Sequence, residues 1–161
     1  MEIVSNSSPI IHLAKIGRLD LLQLLFDIIM IPRAVYMECV VQGGNRPEVE
    51  LIKNAKWIRV IEVEDTNLVK LLKAQIDEGE SETIALALER GADVVLLDDY
   101  EAREKGKLFG LQVTGTVGIL LKARKEGLIK NLKKEINKLQ LSGFWLRKKF
   151  IKEILKTVGE S

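Results

Sequence analysis

Apolar residues arrive in two rhythms along this chain. Short continuous runs stand at Ile3-Val4, at Ile28-Ile29-Met30-Ile31 and at Val94-Val95-Leu96-Leu97, and two further strand-like segments, 57–61 and 111–114, are broken by Arg59 and Gln112. Runs of that length without alternation are the pattern of strands buried on both faces. Between them the spacing changes to three and four residues, the repeat of a helix with one apolar stripe. Ser7-Ser8-Pro9 opens the first such stretch, which runs through IIHLAKI to Gly17; Ser caps helices well and Pro is tolerated in the first turn. A second helix is expected at 20–26. Pro32 opens a third, RAVYMECVV, stopped by Gly43-Gly44, and Pro47 opens a fourth. Further helices are expected at 65–76, over ESETIALALER up to Gly91, at 100–109, at 116–125, and near 130–141 and 147–157. Strands that alternate with helices predict an α/β fold. Its architecture is a three-layer α/β/α sandwich around a central, mostly parallel sheet.

That architecture says where to look for chemistry. In an open parallel sheet, ligands collect outside the carboxyl ends of the strands. Asn6 follows the first strand, Asp98 and Asp99 follow the run at 94–97, and Thr114-Gly115-Thr116 ends the last run. Three separate segments therefore bring side-chain oxygens to one edge. Two helical acids, Glu38 in RAVYMECVV and Glu82 in ESETIALALER, sit among apolar neighbours. A helical Glu is ordinarily a solvated residue, and an Asp after a strand is ordinarily a helix cap. Their combination is what raises a hard-cation site. Magnesium needs one or two protein carboxylates, with water and phosphate oxygens completing its sphere.

Composition narrows the setting. The 161 residues suffice for one domain, 1–161, in which 130–161 form basic C-terminal helices packed on or extending the body. The net charge of +2 is unevenly spread. Residues 1–120 carry thirteen Lys and Arg against nineteen Asp and Glu, a balance of −6; residues 121–161 carry twelve against four, a balance of +8. An acidic body with a basic tail fits a metal site beside a polyanion-binding face, and equally a pair of helices with a solvated basic side. Lys122, Arg124, Lys125, Lys148 and Lys149 are the candidate phosphate contacts. Cys39 is the only cysteine, so no internal disulfide forms; no basic leader precedes an apolar run, and no apolar stretch reaches the roughly 20 residues of a membrane helix. A cytoplasmic location away from membranes is expected. His12, the sole histidine, lies on a largely apolar helix and is expected to be a packing or surface residue rather than a catalytic one. Phe144 and Trp145 are expected to pin the C-terminal helix to the body.

With these residues in view, the sequence resembles the PIN-domain family, the fold of VapC-like toxin ribonucleases, and within it a poorly characterised, largely prokaryotic subgroup. VSNSSPIIHLAKIG is similar to that subgroup's opening, IPRAVYMECV to its second block, GESETIALALERGADVVLLDD to its third and fourth, and VTGTVGILLKARKEGLI with GFWLRKKFIKEILKTVGE to its close. The resemblance spans almost the whole chain. It implies Mg2+ or Mn2+ as cofactor and RNA as substrate. The metal positions would be Asn6, Glu38, Glu82 and Asp98, and the catalytic acids Glu38, Glu82, Asp98 and Asp99. Thr116 and Ser7 would be accessory. It further implies a homodimer or higher homo-oligomer and an antitoxin protein as partner, as in toxin–antitoxin pairs.

The first acid of the family is Asp, and here Asn6 stands in its place. Asn keeps one ligating oxygen and loses a full charge. The enzyme reading therefore stands beside a second one, a weakened or inactive PIN-like domain that binds RNA or protein. A phosphoacceptor receiver domain fits poorly, because the Asp pair comes late and no Lys follows the run at 111–114. A dinucleotide-binding domain fits less well still, since no GxGxxG follows the first strand.

Overall fold

The five strand-like segments become β1 (Ile3–Ser5), β2 (Ile29–Pro32), β3 (Ile58–Ile61), β4 (Val94–Leu96) and β5 (Val113–Thr114). The computed structural model of the protein describes residues 1–160. The strands pair in the order β3-β2-β1-β4-β5, and every neighbouring pair is parallel. The chain builds outward from β1 to β3, then returns to lay β4 on the other side of β1. Ser5 aligns with Leu96 across that seam, and the Asn6 amide donates to the Leu96 carbonyl at 2.9 Å. The point where strand order reverses is the crevice where open sheets of this kind bind ligands.

Helices cover both faces. Alternate strand residues face opposite ways, so Ile3, Ile29, Ile31 and Leu96 enter one core while Val4, Met30, Val95 and Leu97 enter the other. The first core is closed by α1 (Ser7–Lys15), α2 (Asp20–Phe26), α8 (Thr116–Lys125), α9 (Leu132–Leu141) and α10 (Lys148–Thr157), through Ile10, Leu13, Leu21, Leu22, Ile119, Leu120, Ile136, Leu139 and Leu155. The second is closed by α5 (Thr66–Leu72), α6 (Glu78–Arg90) and α7 (Tyr100–Leu108), through Leu72, Ile84, Leu86 and Ala102. Ile10, fully buried, illustrates the energetics: truncation to alanine at such a position costs about 2–5 kcal/mol. The basic C-terminal helices thus contribute to the main core. Glu160 ties them down, accepting from Arg124 Nε at 3.0 Å and from the Leu132 and Lys133 amides at 2.9 and 3.0 Å.

Three elements differ from the sequence expectation. RAVYMECVV is a short α3 (Arg33–Tyr36) that widens into a π-helical turn, Met37–Val41, closed by the Gln42 amide on the Met37 carbonyl at 2.8 Å. Pattern reading cannot distinguish that register from an α-helix, yet π turns recur at functional sites, and this one carries Glu38. The expected helix over 65–76 stops at Leu72; the chain then turns so that Ile76 enters the second core and Asp77 caps α6. The last strand is confined to Val113–Thr114. α4 (Pro47–Asn54) follows expectation. Among the described residues no helix is long and apolar enough to cross a membrane.

Candidate metal centre and active site

The first turn of α1 is the hub. Asn6 occupies its N-cap with extended backbone, but its side chain makes no capping bond. Ser7 and Ser8 follow, and their hydroxyls diverge. Ser7 Oγ donates to Glu38 Oε2 at 2.6 Å, reaching the π turn after α3. Ser8 Oγ donates to Asp98 Oδ2 at 2.6 Å, reaching the end of β4. Asn6 itself is only 5% exposed, and its Oδ1 is buried with no hydrogen-bond partner among the described residues. An orphaned buried carbonyl oxygen costs about 1–3 kcal/mol unless something outside the protein satisfies it.

Glu38 and Asn6 share a floor made by Gly79, in the first turn of α6. A Cβ at Gly79 would collide with the Glu38 carboxylate and lie 3.3 Å from Asn6 Oδ1. Glycine is required there for close approach, since its backbone conformation is ordinary. Burial raises the Glu38 pKa; the Ser7 hydrogen bond opposes that, and the charges of Asp77, Glu78 and Glu82 add to it. Those acids line a cleft of about 600 Å³ with Arg33, Ala34, Met37 and Gln42. Glu82 is half-buried in its wall, and its Oε1 accepts from the Ala34 amide at 3.1 Å. Glu80 points elsewhere. It forms the capping box of α6 with Asp77, and burial is the main force raising its pKa to about 7.

The other half of the site is built on Asp98. Its Oδ2 accepts from Ser8 Oγ and from Thr116 Oγ1 at 2.6 Å, and its Oδ1 accepts from the Thr116 amide at 2.7 Å. Thr116, fully buried, thus fixes the carboxylate from the start of α8. Asp99 is exposed and caps α7 through the Ala102 amide at 3.2 Å. Gly115 leaves room beside Asp98: a Cβ there would sit 2.9 Å from Asp98 Oδ1 and 2.8 Å from Arg103 Nη1.

The structure therefore brings Asn6, Ser7, Glu38 and Glu82 to one side of the α1 start and Asp98 and Thr116 to the other. Ser8, Gly79 and Arg103 belong to the same constellation and escaped sequence reading. Of the basic residues considered for RNA, Arg124 is engaged internally with Glu160 and the Val158 carbonyl. Lys122 pairs with Glu126. Lys125, Lys148 and Lys149 are exposed. His12 packs edge-on against Phe144, ring centroids 4.9 Å apart, as expected of a packing histidine. Trp145 departs from expectation: it is 76% exposed and pins nothing, while Phe144 alone packs on the core.

These donors fit a hard divalent cation in one specific mode. Among the described residues no three Asp, Glu, His or Cys come close enough to hold an ion together. The unpartnered Asn6 oxygen and the neighbouring Glu38 carboxylate supply two hard oxygens, which is what magnesium takes from a protein when water and phosphate provide the rest. No curated protein shows significant similarity to the chain. The model of the PIN domain matches residues 2–160, and the parallel sheet with acids at its switch point agrees with that match. The chain belongs to the PIN-domain family, whose fold is of the nuclease type.

Proposed function

We propose that the domain is a Mg2+- or Mn2+-dependent endoribonuclease. The carrying observation is the buried, unpartnered Asn6 Oδ1 held between the Glu38 and Asp98 halves of the crevice. Asn6 and Glu38 would hold the ion directly, while Glu82 and Asp98, on either side of the α1 start, would act through its waters. When bound, it supplies a lowered water pKa and neutralises charge on the phosphate. The chain's own groups do the rest. Ser7 orients Glu38, while Ser8 and Thr116 hold Asp98 in one rotamer. The positive ends of α1 and α8 face the crevice and favour an anion there. Asp99, next in sequence to Asp98 but exposed and engaged in the α7 cap, would be an accessory acid. The resemblance extends this reading to the toxin of a toxin–antitoxin pair, for which expression should arrest growth and Asp98→Asn should relieve the arrest.

A second reading rests on the Asp98 hydrogen bonds. Both of its oxygens are already satisfied by Ser8 and Thr116, and Asn6 lacks a charge. Such a site would suit a domain that binds RNA or protein without cutting. One experiment separates the two readings: RNA cleavage in manganese by the wild type, Asn6→Asp and Asp98→Asn. Cleavage that rises with Asn6→Asp and vanishes with Asp98→Asn supports the nuclease. Inactivity of all three, with no manganese bound at millimolar concentration, supports the binding module.

A further inference from the structure

A second depression begins where the acidic crevice ends. It is a groove of about 480 Å³ between α8 and the C-terminal segment, with Asp98, Arg103 and Gly115 at its inner end. Its walls are Val117, Leu121, Phe144, Leu146, Phe150 and Ile154. Phe144 is braced by the His12 ring, and Phe150 is 43% exposed. Trp145 projects beside Phe150 at the mouth. Arg103 is half-buried; its Nη1 donates to the Leu97 carbonyl at 3.0 Å, and among the described residues it makes no ion pair. At the mouth Arg147 and Lys149 stand beside Phe150 with a single acid, Glu153; both cations are exposed and likewise without ion pairs among the described residues.

We propose that this groove seats an unpaired base of single-stranded RNA, with Arg103 taking the adjoining phosphate; the choice of RNA rests on the ribonuclease reading above. Charge complementarity and continuity select the occupant. The acidic cleft on the far side of α1 repels a polyanion, whereas the mouth of the groove attracts one, and the groove runs directly into Asp98. The apolar walls offer faces for stacking and few groups to read a base edge, so sequence preference should be weak. A paired base cannot enter, because in a duplex its faces are stacked and its edge is occupied. Arg103 stands beside Asp98 at Gly115 without pairing to it, leaving its remaining N–H groups for a phosphate.

The test is fluorescence anisotropy of a labelled mixed-sequence single strand and of its duplex, using the full chain in Ca2+ to avoid cleavage. The single strand should bind at least tenfold tighter than the duplex and should quench Trp145. Phe150→Ala should weaken binding about tenfold, Phe150→Trp should retain it, and Arg103→Gln should weaken it about tenfold with a shallower salt dependence. Circular dichroism melts check that each variant folds. Equal binding of duplex and single strand, or unchanged affinity in both Phe150→Ala and Arg103→Gln, overturns the proposal. So does a dimer by light scattering that Phe150→Glu dissociates, since the groove then belongs to a second copy. Cleavage fails separately: binding as described without cleavage sinks the nuclease and leaves the groove, whereas cleavage untouched by Phe150→Ala and Arg103→Gln sinks the groove alone.

Discussion

Replacing Gly79 with alanine asks the site to choose between helix stability and Glu38. Gly79 lies in the first turn of α6 with ordinary backbone angles, so on propensity alone alanine should stabilise by up to about 1 kcal/mol. The structure predicts the reverse. The new methyl would occupy the space of the Glu38 carboxylate and press on Asn6 Oδ1 at 3.3 Å. Glu38 is a flexible side chain and will swing into the cleft. Its departure breaks the 2.6 Å bond from Ser7, whose buried hydroxyl is then orphaned at a cost of about 1–3 kcal/mol. Glu38 recovers some hydration on leaving. The balance is a loss of about 1 kcal/mol, which for a chain of this size lowers Tm by roughly 2–4 °C. Manganese affinity, measured by titration calorimetry, should fall at least about tenfold, since one carboxylate ligand has moved. Ser7→Ala is the control: it loses the same hydrogen bond but leaves Glu38 room to stay, so it should bind manganese better than Gly79→Ala. A Gly79→Ala protein that melts above the wild type and binds manganese equally well would mean that Glu38 and Asn6 do not form the metal seat.

Further outcomes follow from the same geometry. Asn6→Asp places a second charge beside Glu38, so in chelator it should melt lower than the wild type, while in manganese the difference should close or reverse; a melt insensitive to the metal counts against the seat. Glu80 ionises near pH 7 because it is buried, so between pH 4.5 and 7 the folded state keeps a proton that the unfolded state has lost. Stability from this group therefore falls as pH rises through that window, and Glu80→Gln, which preserves the capping box, should gain about 1–2 kcal/mol over the wild type at pH 8 and nothing below pH 4.5 by denaturant titration. Burial pushes Glu160 upward, but the Lys133 and Leu132 amides and Arg124 outweigh it and hold the carboxyl below its ordinary value. Its contribution is present above pH 4.5 and lost as pH falls through the folded value; Glu160→Gln should cost about 1–3 kcal/mol at pH 7 and loosen α9 and α10 in hydrogen exchange.

Strand ends and helix starts were legible because they depend on local pattern. Continuous apolar runs gave the strands, and the residues just past them, Asn6 and Asp98, had to lie at the switch point once the sheet was parallel. Glu38 and Glu82 stood out as acids among apolar helix neighbours, and the order of the blocks in the family resemblance gave them their place in the site. What was hidden depends on contacts between segments far apart in sequence. Ser8 reads as one more polar residue at a helix start; its bond to Asp98 appears only when β1 and β4 are neighbours. Arg103, inside YEAREKGKL, looks like any solvated helix charge, and its place beside Asp98 follows from how α7 packs against β5. Arg124 looked free for RNA for the same reason, since its partner Glu160 lies 36 residues later. The widening of the helix around Glu38 leaves no mark on apolar spacing.

The divergence of Ser7 and Ser8 also has a consequence in time. One hydroxyl grips residue 38 and the next grips residue 98, while Thr116 completes the second grip. During synthesis the early part of the chain can lay down β1, α1 and the π turn, yet the crevice has only one wall until residues beyond 116 have emerged and β4 has docked. A partly made chain therefore carries a half-built site, with Glu38 already gripped before anything can grip Asp98.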